Sequence, residues 1–156
     1  VASGDLEVGG EGTYTLEYES DDFRTRDGLF LATGGDLRGQ LNEPTPLLPM
    51  PGMQGNLFAK WRTEGHRVNY AMRYITSYED SIPGIPSLAN IDSQLTHDIH
   101  YVNNMFDQWT LSLSMINMTD EDPPLVSNDL GYDGFTHNPF GRMIKLGVVF
   151  TPEFGG

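Results

Sequence analysis

The last residues of the chain limit its fold most sharply. From Ile144 the even positions read Ile144, Leu146, Val148 and Phe150, and Phe154 keeps the parity beyond Pro152. The odd positions read Met143, Lys145, Gly147, Val149, Thr151 and Glu153. A period of two with both charges on one side is a β-strand with one apolar face and one wet face. Pro139 and Gly141 punctuate the chain just before this segment.

The alternation recurs upstream. Near 6–20, Leu6, Val8, Gly10, Gly12, Tyr14, Leu16 and Tyr18 oppose Glu7, Glu11, Thr13, Thr15, Glu17 and Glu19. Near 55–63, Leu57, Ala59 and Trp61 oppose Asn56, Lys60 and Arg62, with Phe58 on the polar side. Near 67–78, Val68, Tyr70, Met72, Tyr74 and Tyr78 oppose Arg67, Asn69, Arg73 and Ser77. Near 94–103, Leu95, Ile99 and Tyr101 oppose Gln94, Thr96, Asp98 and His100. Near 108–118, Trp109, Leu111, Leu113 and Met115 oppose Gln108, Thr110, Ser112 and Ser114. With the closing segment, 143–154, the pattern predicts an all-β chain: a six-stranded antiparallel meander. Residues 21–54, 79–93 and 119–142 are rich in Gly, Pro, Asp and Asn and lack a period, so they read as long loops. Residues 64–66 and 104–107 read as short turns.

The charges say what the two faces meet. Glu7, Glu11, Glu17, Glu19, Lys60, Arg62, Arg67, Arg73, Asp98, Lys145 and Glu153 all fall on the polar parity of their strands. Hydrocarbon demands such a charge-free face, because Lys or Arg at the midplane of a barrel's outer surface costs about 2–4 kcal/mol. About ten residues at ~3.3 Å each, tilted about 45°, span roughly 23 Å, close to the apolar band of an outer membrane. If the long loops share one side, Trp61, Tyr101, Trp109 and Phe154 rim the short-turn edge, and Tyr18, Tyr74 and Tyr78 rim the other. Aromatic rims suit two membrane interfaces. Strands of a soluble β-sandwich that binds a ligand or partner also alternate, but that fold predicts neither rims nor one-sided loops. A passive porin-like channel shares the membrane pattern.

Composition closes other routes. No apolar run approaches the roughly 18 residues of a membrane helix, and barrel strands do not need one. With no cysteine there is no disulfide framework or thiolate metal site. A formal charge of −13 argues against nucleic acid, whose phosphates require basic patches. The length of 156 residues suits one domain or part of one.

Catalytic signals are missing. Asp120-Glu121-Asp122 is a carboxylate cluster, but Pro123-Pro124 stands where a calcium loop needs its glycine. His66, His97, His100 and His137 have no metal-ligand spacing, and His97 and His100 fall on opposite strand faces. Asn117-Met118-Thr119 matches a glycosylation sequon, a weak signal in itself. No enzyme, cofactor or metal is expected. Glu7, Glu11, Lys60, Arg62, Arg73 and Lys145 are expected to line a hydrated lumen or meet a polar plug. In the acidic third loop, Tyr132, Asp133, Phe135 and His137 are candidate ligand contacts.

Several stretches resemble the carboxy-terminal barrel region of TonB-dependent outer-membrane receptors. Residues 109–124, running Trp-Thr-Leu-Ser-Leu-Ser-Met-Ile-Asn-Met-Thr-Asp-Glu-Asp-Pro-Pro, resemble the family's penultimate strand with its Asn-Leu-Phe-Asp-like tract. Met118-Thr119 departs from the usual Leu-Phe. Residues 137–142, His-Asn-Pro-Phe-Gly-Arg, followed by Leu146-Gly147-Val148-Val149-Phe150, resemble the Gly-Arg lead-in to the last strand. Residues 73–80 are similar to another strand end of the family.

The resemblance implies a barrel of about 22 strands in the outer membrane of a bacterial cell, closed around an amino-terminal plug and driven by an inner-membrane energy complex. It implies uptake of a bulky nutrient such as a ferric siderophore, cobalamin or oligosaccharide. This chain would supply the last six strands and three outer loops, with the plug absent. The implied partners are outer-membrane lipid, the rest of the barrel and its plug, the TonB complex acting through that plug, and the barrel-assembly machinery. Gly141, Arg142 and a terminal aromatic, Phe150 or Phe154, would carry the assembly signal.

Overall fold

The structure is a computed structural model that describes residues 4–42, 47–80, 90–106 and 108–152. Its main strands are β1 (Asp5–Tyr14), β6 (Met53–Arg62), β7 (His66–Ile75), β10 (Gln94–Phe106), β11 (Trp109–Ile116) and β12 (Met143–Phe150). Between them lie β2 (Glu19–Ser20), β3 (Phe23–Arg24), β4 (Phe30–Ala32), β5 (Gly35–Asp36), β8 (Tyr78–Glu79) and β9 (Asn90–Ile91). The described residues contain no helix. The six main strands form one sheet in the order β1-β6-β7-β10-β11-β12, with every neighbouring pair antiparallel. The expected all-β meander of six strands is therefore present.

Register fixes which residues share a face. Leu6 pairs with Trp61, Trp61 with Val68, Val68 with Tyr101 and Tyr101 with Leu113. Leu113 in turn pairs with Leu146. Cross-strand partners point the same way, so one row of apolar side chains crosses the whole sheet. Asp5, Glu7 and Glu11 lie on the opposite face with Lys60, Arg62, Arg67, Arg73, Asp98 and Lys145. Six separately read alternations thus merge into one uncharged face and one charged face. A slip of one residue in any ladder would break that merger.

The apolar face has no second layer over it among the described residues. Val8 is 70% exposed, Leu113 39% and Leu146 81%. The residues that pack as a core sit beyond one end of the sheet: Leu41, Tyr78, Ile91 and Val126. All four come from the long connections or the short strands within them. The short connections, 63–65 and the one between β10 and β11, lie at the opposite end.

Several boundaries differ from the sequence reading. The first strand stops at Tyr14, not residue 20. Thr15 N–H still donates to Gly52 O, but Tyr18 O accepts from Leu37 N–H and β2 turns away to pair with β5. Leu16 and Tyr18 therefore leave the sheet face. The stretch 21–54 is not bare loop: β3 pairs with β4, and β6 begins at Met53. The third strand ends at Ile75, where the Thr76 hydroxyl donates to Met53 O and accepts from Met53 N–H. Tyr78 belongs to β8, pairs with Ile91 and is buried, so it is no rim residue.

Of the three residues expected at the long-loop edge only Tyr74 keeps its place, and Tyr14 lies at the same end. Trp61, Tyr101 and Trp109 lie toward the short-turn edge, where Trp109 packs on Phe150 with ring centroids 4.6 Å apart. His66 opens β7 instead of lying in the turn, and β10 runs through the expected turn to Phe106 by way of a bulge. Glu153 and Phe154 lie outside the described residues. Phe58, an aromatic residue on the charged face, lies across from Gly9, whose missing side chain leaves room for the ring. Lys60 Nζ sits 4.5 Å from the centre of that ring.

Candidate functional site

The long connections at one end of the sheet pack on each other and enclose a cleft. Its first wall comes from residues 37–42 and 47–50. Gly39 N–H donates to Met50 O and Met50 N–H to Gln40 O, tying these two stretches together. The Asn42 side chain, 1% exposed, donates to Leu37 O at 3.2 Å and Leu48 O at 3.1 Å. Asn42 has φ +61°, a left-handed conformation that asparagine tolerates better than most residues.

The second wall comes from residues 126–137. Asn128 Oδ1 accepts from Leu130 and Gly131 N–H, while its Nδ2 donates to Tyr132 O. Asp133 is buried, and both its carboxylate oxygens are engaged. Oδ2 accepts from the Tyr78 hydroxyl at 2.7 Å, and Oδ1 accepts from Phe135 N–H at 2.9 Å and Thr136 N–H at 3.3 Å. His137 stacks on Tyr78, with Nε2 3.0 Å from the Tyr78 hydroxyl and Nδ1 2.8 Å from Gln94 Oε1. Gln94, the first residue of β10, donates from Nε2 to Asp122 O. Buried polar groups need such partners, and these tie the third loop to the sheet end.

Burial pushes the Tyr78 phenol far above its ordinary range, and the neighbouring Asp133 carboxylate pushes the same way. Burial also lowers His137 from its ordinary range; Asp133 opposes this and Arg73 adds to it. Between the walls lies a cleft of about 610 Å³ lined by Leu41, Leu47, Leu48 and Pro49 on one side and residues 128–130 and 132–135 on the other. Leu48, Leu130 and Phe135 present exposed apolar surface there.

The candidate ligand contacts thus divide into two kinds. Tyr132 and Phe135 line the cleft, and Phe135 is 81% exposed. Asp133 also borders it, but its oxygens face inward. His137 is buried behind the wall. Sequence reasoning missed Tyr78 and Gln94, because their partners lie 55 and 43 residues away along the chain. It also missed Leu41, Leu48 and Leu130, which carry no pattern of their own in a loop.

The chain matches no family model, no curated protein and no solved structure to which it was compared.

The other candidates find definite places. Glu7, Glu11, Lys60, Arg62, Arg73 and Lys145 share the charged sheet face. There Lys60 Nζ contacts Glu7 Oε1 at 3.1 Å, and Asn56 Nδ2 donates to Glu11 Oε1 at 3.2 Å. Exposed pairs of this kind contribute about 0.2–1 kcal/mol each, too little to organise the sheet. Arg142 clasps Asp120 across the base of the third loop. Its N–H donates to Oδ1 at 2.7 Å, its Nη2 lies 3.4 Å from Oδ2, and its Nη1 donates to Met118 O. A Cβ on Gly141 would come within 2.9 Å of Asp120 Oδ1, so the glycine lets the clasp close.

Asn117, at φ +50°, ends β11 and holds Glu121 through both its amide atoms. Asp120 is committed to this clasp. The described residues contain no group of three His, Cys, Asp or Glu side chains placed to hold a metal. Among the described residues, no helix is long and apolar enough to cross a membrane.

Proposed function

We propose that this sheet is wall in a larger transmembrane β-barrel of the bacterial outer membrane, and that the barrel belongs to a TonB-dependent uptake receptor. In this reading the uncharged face meets lipid, the charged face meets a hydrated lumen or plug, and the long-loop end is the outer mouth. The observation that carries the membrane part is the single uncharged face that crosses six strands with no other described residues packed on it. A sandwich core would have to bury Val8, Leu113, Leu146 and Val148 against another layer.

Chain edges also favour a larger assembly. The outer edges of β1 and β12 pair with no strand among the described residues. In hydrocarbon each unpaired backbone group costs several kcal/mol, so such a sheet requires further strands on both sides. Barrels of this kind start at about eight strands, and plugged transporters have about 22. The receptor assignment rests on the resemblance at residues 109–124 and 137–150, to which Asn117, Asp120 and Arg142 add a defined hairpin base. The nutrient would be bulky, such as a ferric siderophore, cobalamin or oligosaccharide, and the segment's role is wall and mouth with no chemistry.

The test is energy-dependent accumulation by cells producing the protein in its natural full length. Uptake abolished by loss of the inner-membrane energy complex supports the receptor. Uptake that survives this loss identifies a passive porin-like channel instead, and a chain folded and monodisperse in plain buffer excludes both.

A further inference from the structure

We propose that the cleft between Leu41 and residues 47–49 on one side and residues 128–130 and 132–135 on the other is a preformed site for an apolar, ring-bearing ligand that carries a single positive charge. The inference deepens the reading of the long-loop end as a ligand-facing mouth and rests on it. It narrows the cargo by charge: anionic chelates are disfavoured at this position.

Three observations converge. The volume, about 610 Å³, falls within the roughly 300–1,000 Å³ of small-molecule sites. Both walls are held by buried side chains, Asn42 behind one and Asp133 behind the other, so little ordering remains to be done on binding. The surface presented is chiefly Leu48, Leu130, Tyr132 and Phe135, side chains that favour rings and aliphatic groups.

The polar complement sets the sign of the charge. Asn128 and Asp133 use their polar side-chain atoms within the second wall. Asp129 is different: it is exposed, borders the cleft and makes no ion pair among the described residues. Among the described residues, no Lys or Arg lines the cleft. A cation lodged among the apolar side chains would therefore meet one carboxylate, and an anion would meet only repulsion. The ring faces of Tyr132 and Phe135 add a cation–π attraction of the same sign.

A matched probe trio tests this: 2-naphthylmethylammonium, 2-naphthylmethanol and 2-naphthoate, titrated by calorimetry against the full chain in detergent. The ammonium is expected to bind about tenfold more tightly than the carboxylate, about 1.4 kcal/mol, with the alcohol between them. Asp129→Asn should reduce that ratio to about twofold while leaving the near-ultraviolet circular dichroism unchanged, because Asp129 holds nothing in the fold. Leu130→Ser should weaken all three probes about fivefold. Equal affinities, a tighter carboxylate, or binding insensitive to both variants overturns the proposal. Binding to the cleft is read without transport, so failed uptake with intact charge selectivity would reject only the receptor, and carboxylate preference in an energised transporter would reject only the cation site.

Discussion

Asp133 spends every strong acceptor direction inside the fold, on Tyr78, Phe135 and Thr136. A buried carboxylate that loses a charge-assisted partner is left under-solvated, so Tyr78→Phe, which keeps the ring and deletes the hydroxyl, should cost about 1.5–3 kcal/mol. The loss should appear as a lower urea midpoint with an unchanged slope. His137 gives the network a pH dependence. Its folded-state pKa lies below the unfolded value of 6.5, so at mildly acidic pH the unfolded chain binds more protons. Stability should be flat above about pH 7 and fall as pH drops through 6.5, and His137→Gln should reduce that slope in pH-resolved melts. The sequence marked Asp133 and His137 because charged and aromatic side chains crowd an acidic loop. It did not show that they face inward, since that depends on Tyr78 and Gln94, residues far away in the chain that only the folded loop end brings near.

At the scale of strands, alternation was readable because period two is a local property. Six strands, their order of parity and the long–short rhythm of connections all follow from it. Strand ends were less readable, and for physical reasons. Leu16, Tyr18 and Tyr78 continue the alternation but leave the ladder, because β2 and β8 find other partners in β5 and β9. At residue 117 the backbone turns left-handed, and β11 stops at Ile116, short of the expected 118.

Faces make opposite predictions for neighbouring positions. Leu113→Arg places a guanidinium on the uncharged face and should lower folding into vesicles by about 2–4 kcal/mol, whereas Ser114→Arg, one residue on, joins Lys145 on the charged face and should cost far less. Heat-modifiable electrophoretic mobility after refolding reads both. The clasp gives a second contrast: Asp120→Ala removes both side-chain contacts to Arg142, and should loosen 117–142 to proteolysis while leaving the β10–β11 pairing intact.

Viewed whole, the molecule inverts the usual arrangement of a water-soluble domain. Its packed core, around Leu41, Tyr78, Ile91 and Val126, lies in the connections, while neither face of the sheet is covered by other described residues. Burial against the described residues therefore does not account for the apolar face; in the proposed reading, hydrocarbon does. The chain contains no cysteine, so single cysteines can be placed on either face without interference. The most direct measurement is quenching of a fluorophore attached at Leu113→Cys or at Ser114→Cys, in the full-length protein reconstituted in vesicles, by a lipid-dissolved quencher and by a water-soluble one. The account predicts that the label at 113 is quenched from the lipid and shielded from water, with the reverse at 114. A label at 113 that only the aqueous quencher reaches, or that neither quencher reaches, would contradict it.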